Sequence, residues 1–216
     1  ASRRGLIQAL GCSRETSVAK NKSGSDASVA GISRFVGEFK EESDRAAVIL
    51  GAAKIDSILA QILDRYMLPS LSSNDELLDG DSPLATYSAR INACYRLGLI
   101  DPHFAKALHL TRKIRNSFAH EVSGVSLESG AHADRINSLL LPLRSLPYFA
   151  KFRNLFFGEQ STSNDFRACL AMMIARLTGR LNHTSPLGTE EPWSFIMDSW
   201  SNEEIDASDN PSASAT

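Results

Sequence analysis

The stretch KIRNSFAH, residues 113–120, puts an arginine, an amide and an imidazole close together at the end of one apolar period. Arg115 can hold a phosphate through parallel N–H donors and stabilise charge that develops on it. A histidine such as His120 can move a proton in either direction. Asn116 can orient the imidazole or a ribose hydroxyl. Together they suffice, without a metal, for attack of a 2′-hydroxyl on its own phosphodiester. A plainer reading stands beside this one. A solvated helix face often carries Arg and Asn, and a His near a helix C-terminus is favoured by the dipole. Spacing alone leaves both open.

The element that must position these groups is a helix over about 102–119. With Ile114 at 0° and about 100° per residue, Ala107, Leu110, Thr111 and Phe118 fall within roughly 60° of it. Arg112, Arg115, Asn116 and His120 fill the opposite arc, from roughly 100° to 240°. Pro102 opens the helix, after a preceding one that ends at Gly98.

The rest of the middle of the chain is also helical by period. In DRAAVILGAAKIDSILAQILDRYML, Val48, Ala52, Ile55, Leu59, Ile62 and Tyr66 share one face, with Ser43 as cap and Asp44 in the first turn. Gly80 and Pro83 make a turn, and Pro83 is expected to open a second helix over about 83–97. Further helices are expected over about 132–141, stopped by Pro142, and about 164–182. SLPYFAKFRNLFFGEQ, broken by Pro147, reads as a short helix or an irregular arm. No segment has a strand-like period of two. The fold expected is all-α, a single helical bundle.

The domain expected is 34–200, after a flexible segment 1–33 and before a disordered acidic tail 201–216. The 216 residues suffice for one core, and 43% hydrophobic with 22% charged is ordinary for a globular protein. The net charge of -2 excludes a wholly basic polyanion binder, so any nucleic-acid contact needs a local patch. Cys12, Cys94 and Cys169 are odd in number and far apart, which argues against a disulfide framework or a thiolate zinc site. That usage suits a reducing, cytoplasmic setting. No run approaches the roughly 18–20 apolar residues that span a bilayer, so no membrane partner is expected.

Two resemblances add to these readings. RNSFAH is similar to the R-N-x-x-x-H signature of the HEPN superfamily, small helical bundles of which many members are metal-independent ribonucleases working as dimers. That resemblance implies Arg115 and His120 as a catalytic pair across a dimer cleft, with Asn116 in support. LLDGDSPLATYSARINACYRLGLI, residues 77–100, resembles the mannitol operon repressor family, and ESDRAAVILGAAKIDSILAQIL resembles the helix that precedes it there. This match covers roughly residues 40–121, with Ala85 where the family carries Gly. The two are compatible, because the repressor-like fold looks like a HEPN-type bundle.

The longer match puts a regulator first. No helix-turn-helix with a basic recognition helix is visible, so such a regulator would act through protein contacts rather than DNA readout. The shorter match puts an endoribonuclease second, a toxin or defence component with an antitoxin as protein partner and RNA as substrate. A homodimer and no cofactor are expected in either case.

Other residues carry weaker signals. Arg45 either caps charge at its helix start or lines the same cleft as Arg115, and with Arg112 it is a candidate nucleic-acid contact. Arg90 is expected to pair with Asp79 or Asp81 rather than bind phosphate. His103 and His109 lack ligand spacing on a helix, so neither is read as a metal ligand; His132 and His183 are isolated. Arg144, Lys151 and Arg153 interleave with Tyr148, Phe149, Phe152 and Phe156, which suits either base stacking or packing on the core. Met172 and Met173 read as core.

Overall fold

The computed structural model describes residues 36–37, 39–120, 126–128 and 132–188. The expected tails, 1–33 and 201–216, lie outside the described residues. So does Cys12.

Among the described residues six complete helices follow one another: α1 (Asp44–Tyr66), α2 (Tyr87–Arg96), α3 (Pro102–His120), α4 (Ala133–Arg144), α5 (Pro147–Phe156) and α6 (Thr162–Asn182). No strand occurs among the described residues, so the protein is an all-α bundle. The bundle unit closes at Ser185; residues 186–188 belong to a separate unit.

α1 is the central staff. Ser43 caps it, its hydroxyl accepting from the Ala46 N–H at 3.2 Å, and Asp44 sits in the first turn. Its buried face, Val48, Ala52, Ile55, Leu59 and Ile62, is the one the period marks. α6 packs most extensively against it, then α3 and α2. Gly51 allows that approach: a Cβ there would lie 2.7 Å from a Leu170 methyl.

By length and composition α1 could also cross a membrane, which corrects the expectation that no run approaches a span. Half of its most apolar window is buried inside the bundle, as in the core helix of a globular fold.

Two helix boundaries differ from expectation. α2 begins at Tyr87, not at Pro83, because Thr86 supplies the cap, its Oγ1 accepting from the Ala89 N–H at 3.2 Å. The residues before it form a run of turns. Asp75 Oδ1 accepts from the N–H groups of Leu77 and Leu78, and the Leu84 N–H returns to the Leu77 carbonyl at 2.8 Å. Ala85 lies in that run with a negative φ, so the methyl group costs no backbone strain. α4 runs past Pro142 to Arg144. A proline there removes one backbone bond but does not stop the helix.

The aromatic segment is a helix, α5, with Pro147 in its first turn, where its missing N–H is harmless. It packs on the core through Phe149 and Arg153. Asp165 of α6, fully buried, holds Arg153 Nη1 at 2.9 Å and Arg144 Nε at 2.7 Å. One carboxylate therefore ties α4, α5 and α6 together. It also removes two of the three cations that base stacking by this segment would need.

Candidate functional site

The motif helix α3 leans its Ala105, Leu108, Thr111, Ile114 and Phe118 stripe into the core. Over its last turns the other face carries Arg112, Arg115, Asn116 and His120, whereas nearer the start the same arc is buried through Ala105 and Leu108. Arg115 is half-buried and its Nη1 donates to Asn116 Oδ1 at 3.1 Å. His120 is exposed in the last turn, and its ring has no partner among the described residues. Arg112 is also half-buried, and its Nε lacks an acceptor. None of these three side chains forms an ion pair with a described carboxylate.

Neighbouring helices hold the end of α3 from three sides. Arg45 of α1 donates from Nε to the Phe118 carbonyl at 3.0 Å, so it is brought to the same helix end as the motif. From α4, Arg135 Nη1 donates to Ser117 Oγ at 3.2 Å. Beneath, the buried His132 ring lies 4.8 Å from the Phe118 ring. Its Nε2–H donates to the Ser126 carbonyl at 2.5 Å, which leaves Nδ1 without a partner.

On the third side stands α2. Tyr87 is buried and its hydroxyl has no partner. Burial pushes its phenol well above the ordinary range, the Asp56 carboxylate adds to this, and Arg115 and Arg112 oppose it. The two guanidinium groups therefore share a neighbourhood with this phenol. Asp56 is itself engaged by Arg90 Nη1 at 3.0 Å, while Arg90 Nε donates to the Leu84 carbonyl. Arg90 is structural, as expected, but its partner is Asp56 of α1 rather than Asp79 or Asp81. Farther along α3, His109 Nε2–H donates to Asn92 Oδ1 at 3.0 Å. Its pKa is lowered by burial first, then by Arg112 and Lys113.

The structure thus gathers Arg45, Arg112, Arg115, Asn116 and His120 around one helix terminus. Tyr87, Arg135 and His132 join them with little warning. Nothing in the sequence singles out Tyr87, and His132 reads as an isolated histidine. The signal that could have marked Arg135 is its basic charge one turn into a helix that follows the motif directly.

The buried thiols of Cys94 and Cys169 are both pushed up to about 12 by burial and are poor nucleophiles. Comparison of the chain with protein-family models, curated proteins and solved structures finds no match. What the geometry defines is an all-α bundle with a basic helix terminus whose cations form no ion pair among the described residues.

Proposed function

We propose that the end of α3 binds RNA and cleaves its phosphodiester bonds, in a bundle of the HEPN type. One observation carries the reading. Among the described residues Arg112 and Arg115 have no carboxylate partner, and His120 stands exposed beyond them with no ring partner. Cations left unpaired beside a free imidazole suit an anionic substrate.

In the reaction, His120 takes the proton of a ribose 2′-hydroxyl. The 2′-oxygen bonds to phosphorus as the bond from phosphorus to the 5′-oxygen breaks. The leaving 5′-oxygen takes a proton from the imidazolium of a second His120, across a homodimer cleft. The products are a 2′,3′-cyclic phosphate and a 5′-hydroxyl. Arg115 stabilises the charge on the non-bridging oxygens, Asn116 holds Arg115 in place, and Arg112 with Arg45 receives flanking phosphates. The setting for such chemistry is cytoplasmic, with an antitoxin as protein partner.

The test is RNA cleavage by purified wild type and His120→Ala in EDTA. Loss of cleavage by about 10²–10⁴-fold in the variant, with cyclic phosphate ends from wild type, is expected. Equal cleavage by both, or none by the folded wild type on any cellular RNA, would overturn the reading.

A second reading has its own observation. Leu141, Tyr148 and Leu155 on α4 and α5 are 72%, 56% and 77% exposed. Large apolar side chains left in water suit a protein contact. A regulator similar to the mannitol operon repressor family would use that surface. A partner captured on wild type and lost on Leu155→Asp, together with no RNA cleavage, would favour it.

A further inference from the structure

A cavity of about 800 Å³ lies between α3, α4 and α6, on the opposite side of α3 from the Arg115 face. That volume suits a small organic ligand. Its walls come from single helix stripes. Phe104, Ala107 and Leu110 face it from α3; Met172 and Met173 from α6; Leu139 and Leu143 from α4. Cys169 closes the floor as an inert, buried thiol.

The cavity is polarised along its length. At the end near the start of α3 stand Lys106 and His103, and across from them Arg176 of α6. A second cavity, about 450 Å³, shares Asp101, Phe104 and Arg176 with the first, so the two abut at this end. It continues past Arg176 to Arg180 and His183.

The charge balance at this junction is strongly positive. Lys106 and Arg176 form no hydrogen bond or ion pair with any described residue. Arg180 Nε is buried and lacks an acceptor. Asp101 is the one carboxylate among the described lining residues, and its Oδ1 already accepts from the Phe104 N–H at 2.8 Å. An apolar trough that opens onto three cations and one carboxylate, with no ion pair between them among the described residues, carries net positive charge and is complementary to a molecule with the reverse polarity.

We propose that this cavity binds a single-chain amphiphile with an anionic head, a carboxylate or a phosphate monoester. The alkyl chain lies between the Leu110, Leu139 and Met173 side chains. The head group meets Arg176, Lys106 and Arg180. The inference is independent of the ribonuclease reading, since the cavity and the Arg115 face use different stripes of α3.

Calorimetric titration of the full chain with dodecanoate and with dodecyl phosphate, below micelle formation, tests the proposal. Dodecyltrimethylammonium and dodecanol serve as cationic and neutral probes of equal length. Saturable one-to-one binding of an anion is expected, at least tenfold tighter than either control. Which of the two anions binds more tightly distinguishes a carboxylate from a phosphate head. Lys106→Glu with Arg176→Glu, both exposed positions, should weaken the anions tenfold or more and leave the helical circular dichroism unchanged. Met172→Trp should fill the trough and weaken all probes together. No saturable binding, equal binding of cation and anion, or anion binding untouched by charge reversal would overturn it.

Discussion

The Arg45 Nε–H donates to the Phe118 carbonyl at 3.0 Å and ties the first turn of α1 to the last turn of α3. The last carbonyls of a helix have no partner within it, so this bond satisfies one of them. Arg45→Ala should therefore cost about 0.5–1.5 kcal/mol and fray the turn that carries His120. Backbone amides over 116–120 should exchange faster with solvent. Arg65→Ala is the matched control, because Arg65 Nη1 donates to the Leu181 carbonyl at the far end of α1. It should loosen the end of α6 and leave 116–120 protected. Equal protection of that turn in wild type and Arg45→Ala would show that the bond does not hold it.

Asp165 is the point at which α4, α5 and α6 depend on one charge. With Arg153 buried against it, Asp165→Asn leaves a cation without its counter-charge. The expected loss is about 3–5 kcal/mol in urea unfolding. Asp165→Leu combined with Arg153→Met removes both buried partners, and should lose less than the single change. A loss below about 1 kcal/mol in the single variant would contradict the buried pairing.

Alkaline pH should weaken the fold. The Cys94 and Cys169 thiols, ordinarily near 9, are held up at about 12 by burial. The unfolded chain ionises them first, so their contribution is full below pH 9 and is lost as pH rises toward 12. Tyr87, raised in the same direction, adds to the slope. Urea midpoints should fall progressively above pH 9, and Cys94→Ala with Cys169→Ala should flatten part of that fall. A pH-independent midpoint across this window would contradict the buried thiols.

Helical phase was legible because a period near 3.6 is set by burial itself. Val48 to Ile62 along α1 and Thr111, Ile114 and Phe118 along α3 are buried as their spacing requires, whereas Ala107 and Leu110 are only partly buried and Ala105 and Leu108, outside the expected stripe, are buried in the first half of α3. Boundaries were less legible where two signals competed. Pro83 fits a first turn, yet Thr86 offers a hydroxyl to the next amides and takes the cap. Pro142 suggests a stop, yet α4 tolerates it and ends two residues later. Pairings between distant helices leave no local trace. Nothing near Arg90 points to Asp56, and nothing near Phe118 points to His132; Arg45 is legible there only as one of two alternative readings. The motif face could be read from the sequence, whereas its surroundings could not, because they come from α1, α2 and α4.

His109 reports the positive field along α3 from inside the candidate site. Its pKa is lowered by burial and then by Arg112 and Lys113, while its Nε2–H donates to Asn92. A histidine depressed in the folded state disfavours the charged form. Its contribution is therefore present above the ordinary His range, near ~6.5, and lost as pH falls below it. Proton NMR should place the His109 midpoint below that of a free imidazole. Arg112→Ala removes one of the two cations and should move the midpoint upward while leaving the Asn92 bond in place. Added oligonucleotide should also raise it, because phosphates bound at Arg112 neutralise the same charge. A midpoint that rises with Arg112→Ala but ignores the oligonucleotide would keep the cation beside His109 and remove RNA from it. No movement in either case would mean that Arg112 points away from His109.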